Sequence, residues 1–184
     1  MTRRNRKLCV AIAKDVIAQL RLERFRAKTG QYIGVILDNS VYNEDYHEAL
    51  KESFQKHFKE NKGTTCEVCA LGAAFVSMVN IENKCSIDEV ICQHNMFDRL
   101  EKHFGADNIA LMESAFEGSC MDNSPNGTNL SIDMLDVAGK WGNKYKDNDK
   151  RLRAIMLNVI RNNGDFKLPK KYIAKAKKLE KEYA

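Results

Sequence analysis

Over residues 68–81 only Ser77 and Asn80 are polar, so a helix built from this stretch has no face to turn to water. A helix that is apolar all round belongs at the centre of a bundle. The stretch is shorter than the roughly 20 apolar residues that a bilayer demands. Ala70, Gly72, Ala73 and Ala74 are small enough to let neighbouring helices come close. The pattern predicts a buried central helix over about 68–81, with the other elements packed around it.

The remaining periodicities supply those elements. Leu8, Ile12, Val16, Leu20 and Leu22 recur at helical spacing and predict a first helix over 7–28, stopped near Gly30. Residues 32–37 are the one good strand candidate, and no partner strand is evident. Asn43 suits the cap of a helix reaching about residue 61, whose Tyr46, Leu50, Phe54 and Phe58 step by four. Ser86 and Glu89 have capping-box spacing ahead of a helix through Val90, Ile91, Phe97 and Leu100, ended by Gly105. Asp107 opens a short helix with Ile109, Leu111, Met112 and Phe116 as its apolar side. Residues 118–130 form the longest loop, and 132–138 another short helix. Over 148–163, Leu152, Ile155, Met156, Val159 and Ile160 mark an amphipathic helix, capped by Asn148 or Asp149, with Gly164 at the C′ position. Pro169 suits the first turn of a final, very basic helix, whose sparse apolar residues fit fraying or docking on a partner. The expected fold is mainly α, a single helical domain over 1–184, with at most a minor β element near 32–37.

Charge changes this picture only at the ends. Of 184 residues 43% are hydrophobic, and the formal net charge is +5. The basic excess gathers at Arg3, Arg4, Arg6 and Lys7, and again over 167–181. Such ends suit contact with an acidic protein or nucleic acid; a solvated face is the plainer alternative. No basic stripe interleaved with aromatics runs along the sequence. The apolar run after the first arginines is broken by Lys14, Asp15 and Gln19, unlike a signal peptide, and no segment fits a membrane span. The expectation is a cytoplasmic protein with six reduced cysteines.

Four groups of residues carry candidate chemistry. Cys69 falls at the start of the central helix, where unpaired N–H groups favour a thiolate; the alternative is a buried structural thiol. A nucleophile there needs a base, and His47, His57, His94 and His103 are the histidines on offer. Cys66 and Cys69, with Cys85, Cys92 and His94, form a candidate zinc set, although the second pair is widely spaced and the turn lacks glycine. Asp122, Ser124, Asn126, Gly127 and Asp133 fall on positions 1, 3, 5, 6 and 12 of a calcium loop, with Asp where the longer Glu is usual. Asn148, Asp149 and Arg151 open the amphipathic helix, either as dipole partners or as a polar site facing Cys69, with Trp141 and Tyr145 as pocket walls. No organic cofactor is called for.

Cys66-Glu67-Val68-Cys69-Ala70-Leu71-Gly72-Ala73, taken with the later Asn148-Asp149-Lys150-Arg151-Leu152, resembles a family of small phage and bacterial proteins. That family is marked by a Cys-Ala-x-Gly-Ala helix and a later Asn-Asp…Arg helix. The resemblance implies no particular activity. It implies a mobile-element or host-cytoplasm setting, and the leading expectation is a phage-type accessory protein that acts by binding a partner. The competing expectations are a thiol-dependent hydrolase or transferase using Cys69, and a domain stabilised by zinc or calcium.

Overall fold

The computed structural model describes residues 3–30, 33–35, 65–82, 93–118 and 128–182. In chain order these form α1 (Arg3–Arg21), β1 (Phe25–Ala27), β2 (Ile33–Val35), β3 (Cys66–Val68), α2 (Ala70–Glu82), α3 (Gln93–Phe104), α4 (Ala106–Glu117), α5 (Ile132–Gly142), α6 (Asn148–Arg161) and α7 (Lys170–Glu182). The fold is mainly helical with one small sheet. Among the described residues no helix is long and apolar enough to cross a membrane.

The central helix behaves as its composition requires. Every residue from Ala70 to Val79 is buried. α1, α3, α4 and β3 pack around it. One contiguous apolar core draws residues from every helix, including Ile12 of α1, Phe104 of α3, Phe116 of α4, Trp141 of α5, Leu152 of α6 and Ala176 of α7.

The helix starts two residues later than its apolar run. Cys66, Glu67 and Val68 are extended as β3, and the carbonyl of Cys69 accepts the first helical bond, from the Ala73 amide, at 2.9 Å. β3 lies between its two neighbours. It pairs parallel with β1 (Phe25 opposite Cys66) and antiparallel with β2 (Ile33 opposite Val68). The strand candidate near 32–37 thus has its partner in Cys66–Val68, the lead-in to the central helix, of which only Val68 was assigned to that helix.

α1 ends at Arg21 rather than near residue 28. Glu23 takes a φ of 57°, Leu22 stands 59% exposed, and Phe25 and Ala27 are buried while Arg26 is not. That period of two is a strand signature. Gly105, at φ 80°, separates α3 from α4 as expected. α5 runs four residues past its expected end, from its Ser131 cap to Gly142.

The cap of α6 is Asp147, whose side chain accepts the Lys150 amide at 2.8 Å, rather than Asn148 or Asp149. Its C-terminus is a Schellman turn. The Asn163 amide donates to Ile160, and the Gly164 amide donates to Val159. Asn163, at φ 55°, therefore holds the left-handed C′ position, and Gly164 follows it. Gly164 also lies where an added Cβ would come within 3.0 Å of the Arg6 backbone in α1. The basic α7 neither frays nor stands alone. Ala176 is buried, Tyr172 and Ile173 are half-buried, and the helix docks on α5. The expected helix over 43–61, the Ser86–Glu89 capping box, residues 32, 36 and 37, and most of the long loop lie outside the described residues.

α4 and α5 meet at Gly142, where an added Cβ would lie 1.6 Å from the Ala115 carbonyl oxygen. Backbone cannot yield as a flexible side chain does, so Gly142→Ala must push the two helices apart. The variant should lose about 3 kcal/mol in urea unfolding, at the upper end of ordinary overpacking costs. A loss under about 0.5 kcal/mol would show that the helices are not in contact there.

Candidate functional site

Two places among the described residues bear on the candidate chemistry: a buried corner where β3 passes into α2, and a groove on the outer face of α6.

The corner holds Cys69. Its side chain is 2% exposed, and its sulfur accepts the Gly72 amide at 3.4 Å. The expected thiolate is not what this environment favours. Burial, helped by the nearby carboxylates of Glu117 and Glu113, pushes the thiol up to about 12, against the weaker pull of the Gly72 and Leu71 amides. Cys66 is also raised to about 12 by burial alone. The helix-terminal amides are present as the sequence suggests, but loss of water outweighs them.

Arg151 forms the other half of the corner. It is 8% exposed. One terminal nitrogen donates to the Phe116 carbonyl at 2.6 Å; Nε and the other terminal nitrogen donate to the Tyr145 carbonyl at 3.2 and 3.1 Å. Phe116 lies in the last turn of α4, so the guanidinium meets the negative end of that helix and one of its open carbonyls. Burial lowers the Arg151 pKa, and Glu117 opposes that shift. Glu117 accepts the Gly30 amide at 2.7 Å, and Asp149 accepts the Ala27 amide of β1 at 2.6 Å. Asn148 is half-buried as the first residue of α6.

Of the four candidate catalytic residues, Cys69, Asn148, Asp149 and Arg151, the first and last converge on Glu117, while Asp149 is spent holding β1. The donors and acceptors of this corner are turned on the backbone, which makes it a clasp of strand to helices. Glu113 and Glu117 were missed by sequence reasoning. A signal was present: Ile109, Met112, Glu113 and Phe116 share helical spacing, which places Glu113 on the buried face, where it is 3% exposed.

No described histidine serves Cys69. His103 on α3 has its Nε2 3.6 Å from Glu82, and its carbonyl accepts the Cys9 thiol at 3.4 Å. Glu82 lies at the far end of α2, thirteen residues and about 20 Å from Cys69. His47 and His57 lie outside the described residues, as does the side chain of His94. Cys85 and Cys92 of the zinc set, and Asp122, Ser124, Asn126 and Gly127 of the calcium set, also lie outside them. Asp133 stands in the first turn of α5. Among the described residues no three His, Cys, Asp or Glu side chains gather as a metal set.

The second place is a groove of about 440 Å³ on α6. Lys150, Arg153, Ala154, Leu157, Asn158, Arg161 and Asn162 supply its helical side, and Trp141 and Tyr145 its aromatic wall. No carboxylate lines it. Lys150, Arg153 and Arg161 are exposed, and among the described residues none pairs with an acid. Asp147 and Asp149, at the same end of the helix, are committed to the Lys150 and Ala27 amides. Trp141 meets Tyr145 edge-on at 5.6 Å and Phe166 at 5.2 Å. The Lys144 ammonium lies 4.3 Å from the centre of the Tyr172 ring and 6.0 Å from that of Trp141, joining the wall to the start of α7. Trp141 and Tyr145 thus line a pocket, as expected from their place just before α6, but it lies along Lys150, Arg153 and Arg161, and Cys69 does not line it. Comparison with models of known protein families, with curated proteins and with solved structures finds no match to this chain.

With the Cys69 thiol at about 12, iodoacetamide at about pH 8 should leave Cys69 unmodified in the native protein and alkylate it after denaturation, as read by peptide mass mapping. Native labelling of Cys69 at that pH would restore the nucleophile reading.

The pH dependence of Glu117 follows from burial, which raises its pKa more than the Gly30 amide and Arg151 lower it. A raised acid binds its proton more tightly when folded. Its stabilising contribution is present below its ordinary value of 4.5 and fades as pH climbs through the folded value. Against Glu117→Gln, which keeps an acceptor for Gly30, the wild type should lose relative stability as pH rises above 4.5 in urea unfolding. A relative gain over that range would contradict the burial argument.

Proposed function

We propose that this protein binds an anionic macromolecule through the outer face of α6, as a phage-type accessory protein of the host cytoplasm. The observation that carries the reading is the groove itself. Three cations from one helix face line it, no acid does, and its wall is aromatic. Like charges held together without counter-ions create a positive field that attracts anions. The exposed lysines of α7, among them Lys170, Lys171, Lys175 and Lys177, extend that field. The buried, protonated Cys69 weighs against a thiol enzyme.

Heparin is a suitable probe, because it carries dense negative charge and no bases. The protein should bind it with an affinity that falls steeply as salt rises, by counter-ion release. Replacing Arg153 and Arg161 together by Gln should weaken binding and flatten the salt dependence. Replacing Lys175 and Lys177 on α7 should cost less. Absence of heparin binding at low salt, or binding indifferent to the arginine pair, would overturn the reading.

A further inference from the structure

The shape and chemistry of the groove select among anions. We infer that its ligand is a single-stranded nucleic acid, held without regard to sequence; this rests on the anion-binding reading above.

Length is the first argument. Lys150 and Arg161 are eleven residues apart, about 16 Å along the helix. A single phosphate or mononucleotide is too short to meet both ends. At the about 3.4 Å per phosphate of a stacked strand roughly five fit that span, and fewer where the strand is extended, at the lower end of the site sizes of single-strand binders.

The wall is the second argument. Tyr145 is half-buried and lines the groove beside the cations. A duplex keeps its base faces stacked inward, and heparin and acidic peptides have no base faces. A single strand offers them to an aromatic ring, and stacking of this kind is tolerant of base identity.

The amides are the third. Asn158 and Asn162 are the two groove residues suited to read base edges by paired hydrogen bonds. Neither can offer its donor and its acceptor together. Asn158 donates to the Lys167 carbonyl and accepts the Lys167 amide, each at 2.8 Å. Asn162 donates to Asn158, at 2.9 Å to both its carbonyl and its side-chain oxygen. What remains free is charge and ring surface, which recognise backbone and base face.

The chain's one tryptophan, Trp141, stands in the groove wall and reports occupancy by its fluorescence. Titration with a short oligothymidylate should quench it. Binding should be tighter than for a duplex of matched length at the same salt, and similar for a mixed-sequence single strand. Tyr145→Leu should weaken oligothymidylate binding about tenfold while leaving heparin binding in place, and Tyr145→Phe, which retains the ring, should restore it. Arg153→Gln with Arg161→Gln, two exposed positions that do not threaten the fold, should lower the logarithmic salt slope by about 1.4, at about 0.7 per phosphate on a single strand.

Heparin binding with no preference for the oligothymidylate and no effect of Tyr145→Leu would overturn this inference and leave the anion reading standing. Tighter binding of polyglutamate than of the oligothymidylate would overturn it in favour of an acidic protein. Binding of neither heparin nor oligonucleotide would sink both.

Discussion

Ten consecutive buried residues on α2 set the geometric problem that the rest of the chain solves: apolar neighbours must be supplied through a full circle. Helices α1, α3 and α4 supply most of it, and β3 delivers the chain to the N-terminus of α2 without exposing it. The sheet needs only three residues per strand for this. Its task is to seat an extended lead-in between two neighbours, so that Cys66 and Val68 are buried while their backbones stay paired. Small residues then decide how tightly the ring closes. Gly142 against Ala115 is a contact between backbones that no side chain could share, and Gly164 against Arg6 is a tight one at a φ of 101°.

The corner at the start of α2 shows how charge survives in so apolar a structure. A lone buried guanidinium is costly unless its donors are met. Arg151 meets carbonyls from the end of α4 and from the turn before α6, so one side chain closes two open backbone ends. Glu117 adds an opposing charge and ties down Gly30. The same arrangement explains why Cys69 stays a thiol. Ionising it would place a further anion near Glu113 and Glu117 in a region stripped of water. The dipole of a helix N-terminus is worth at most about 2 kcal/mol in favourable buried settings, which cannot offset that loss.

What could be read from the sequence follows from where the deciding interactions are local. The central helix was legible because its signal is composition, and no competing state buries ten apolar residues as well. The stop at Phe104 was legible because glycine reaches conformations that others resist, whereas the stop of α6 was read from Gly164, one residue past the Asn163 that holds the left-handed position. The strands were not. Phe25–Ala27 and Cys66–Val68 are three residues each, too short for alternation to stand out, and their pairing joins segments about forty residues apart. The cap of α6 was misplaced by one or two residues because Asp147, Asn148 and Asp149 are all competent caps; only the tertiary demand of the Ala27 amide on Asp149 separates them. The corner was half legible: Cys69 and Arg151 were named, whereas Glu117 owes its role to Gly30, a contact across 87 positions.

The two faces of α6 divide the work of this helix. Its inner face, with Arg151, Leu152, Ile155, Met156 and Val159, is committed to the fold. On the outer face, Lys150 and Arg153 sit three residues apart without an acid between them, a like-charge spacing that slightly destabilises a helix. Lys150 also stands in the first turn, where the dipole favours anions over cations. Asp149, four residues before Arg153, and the Asp147 cap offset part of this repulsion, although among the described residues neither forms an ion pair with these cations. What repulsion remains is small, a few tenths of a kcal/mol, and a counter-charge from outside the chain lowers it further. An arrangement that is mildly unfavourable alone and relieved by an anion is the electrostatic form of a binding surface, and on this helix it occurs opposite the face that holds the protein together.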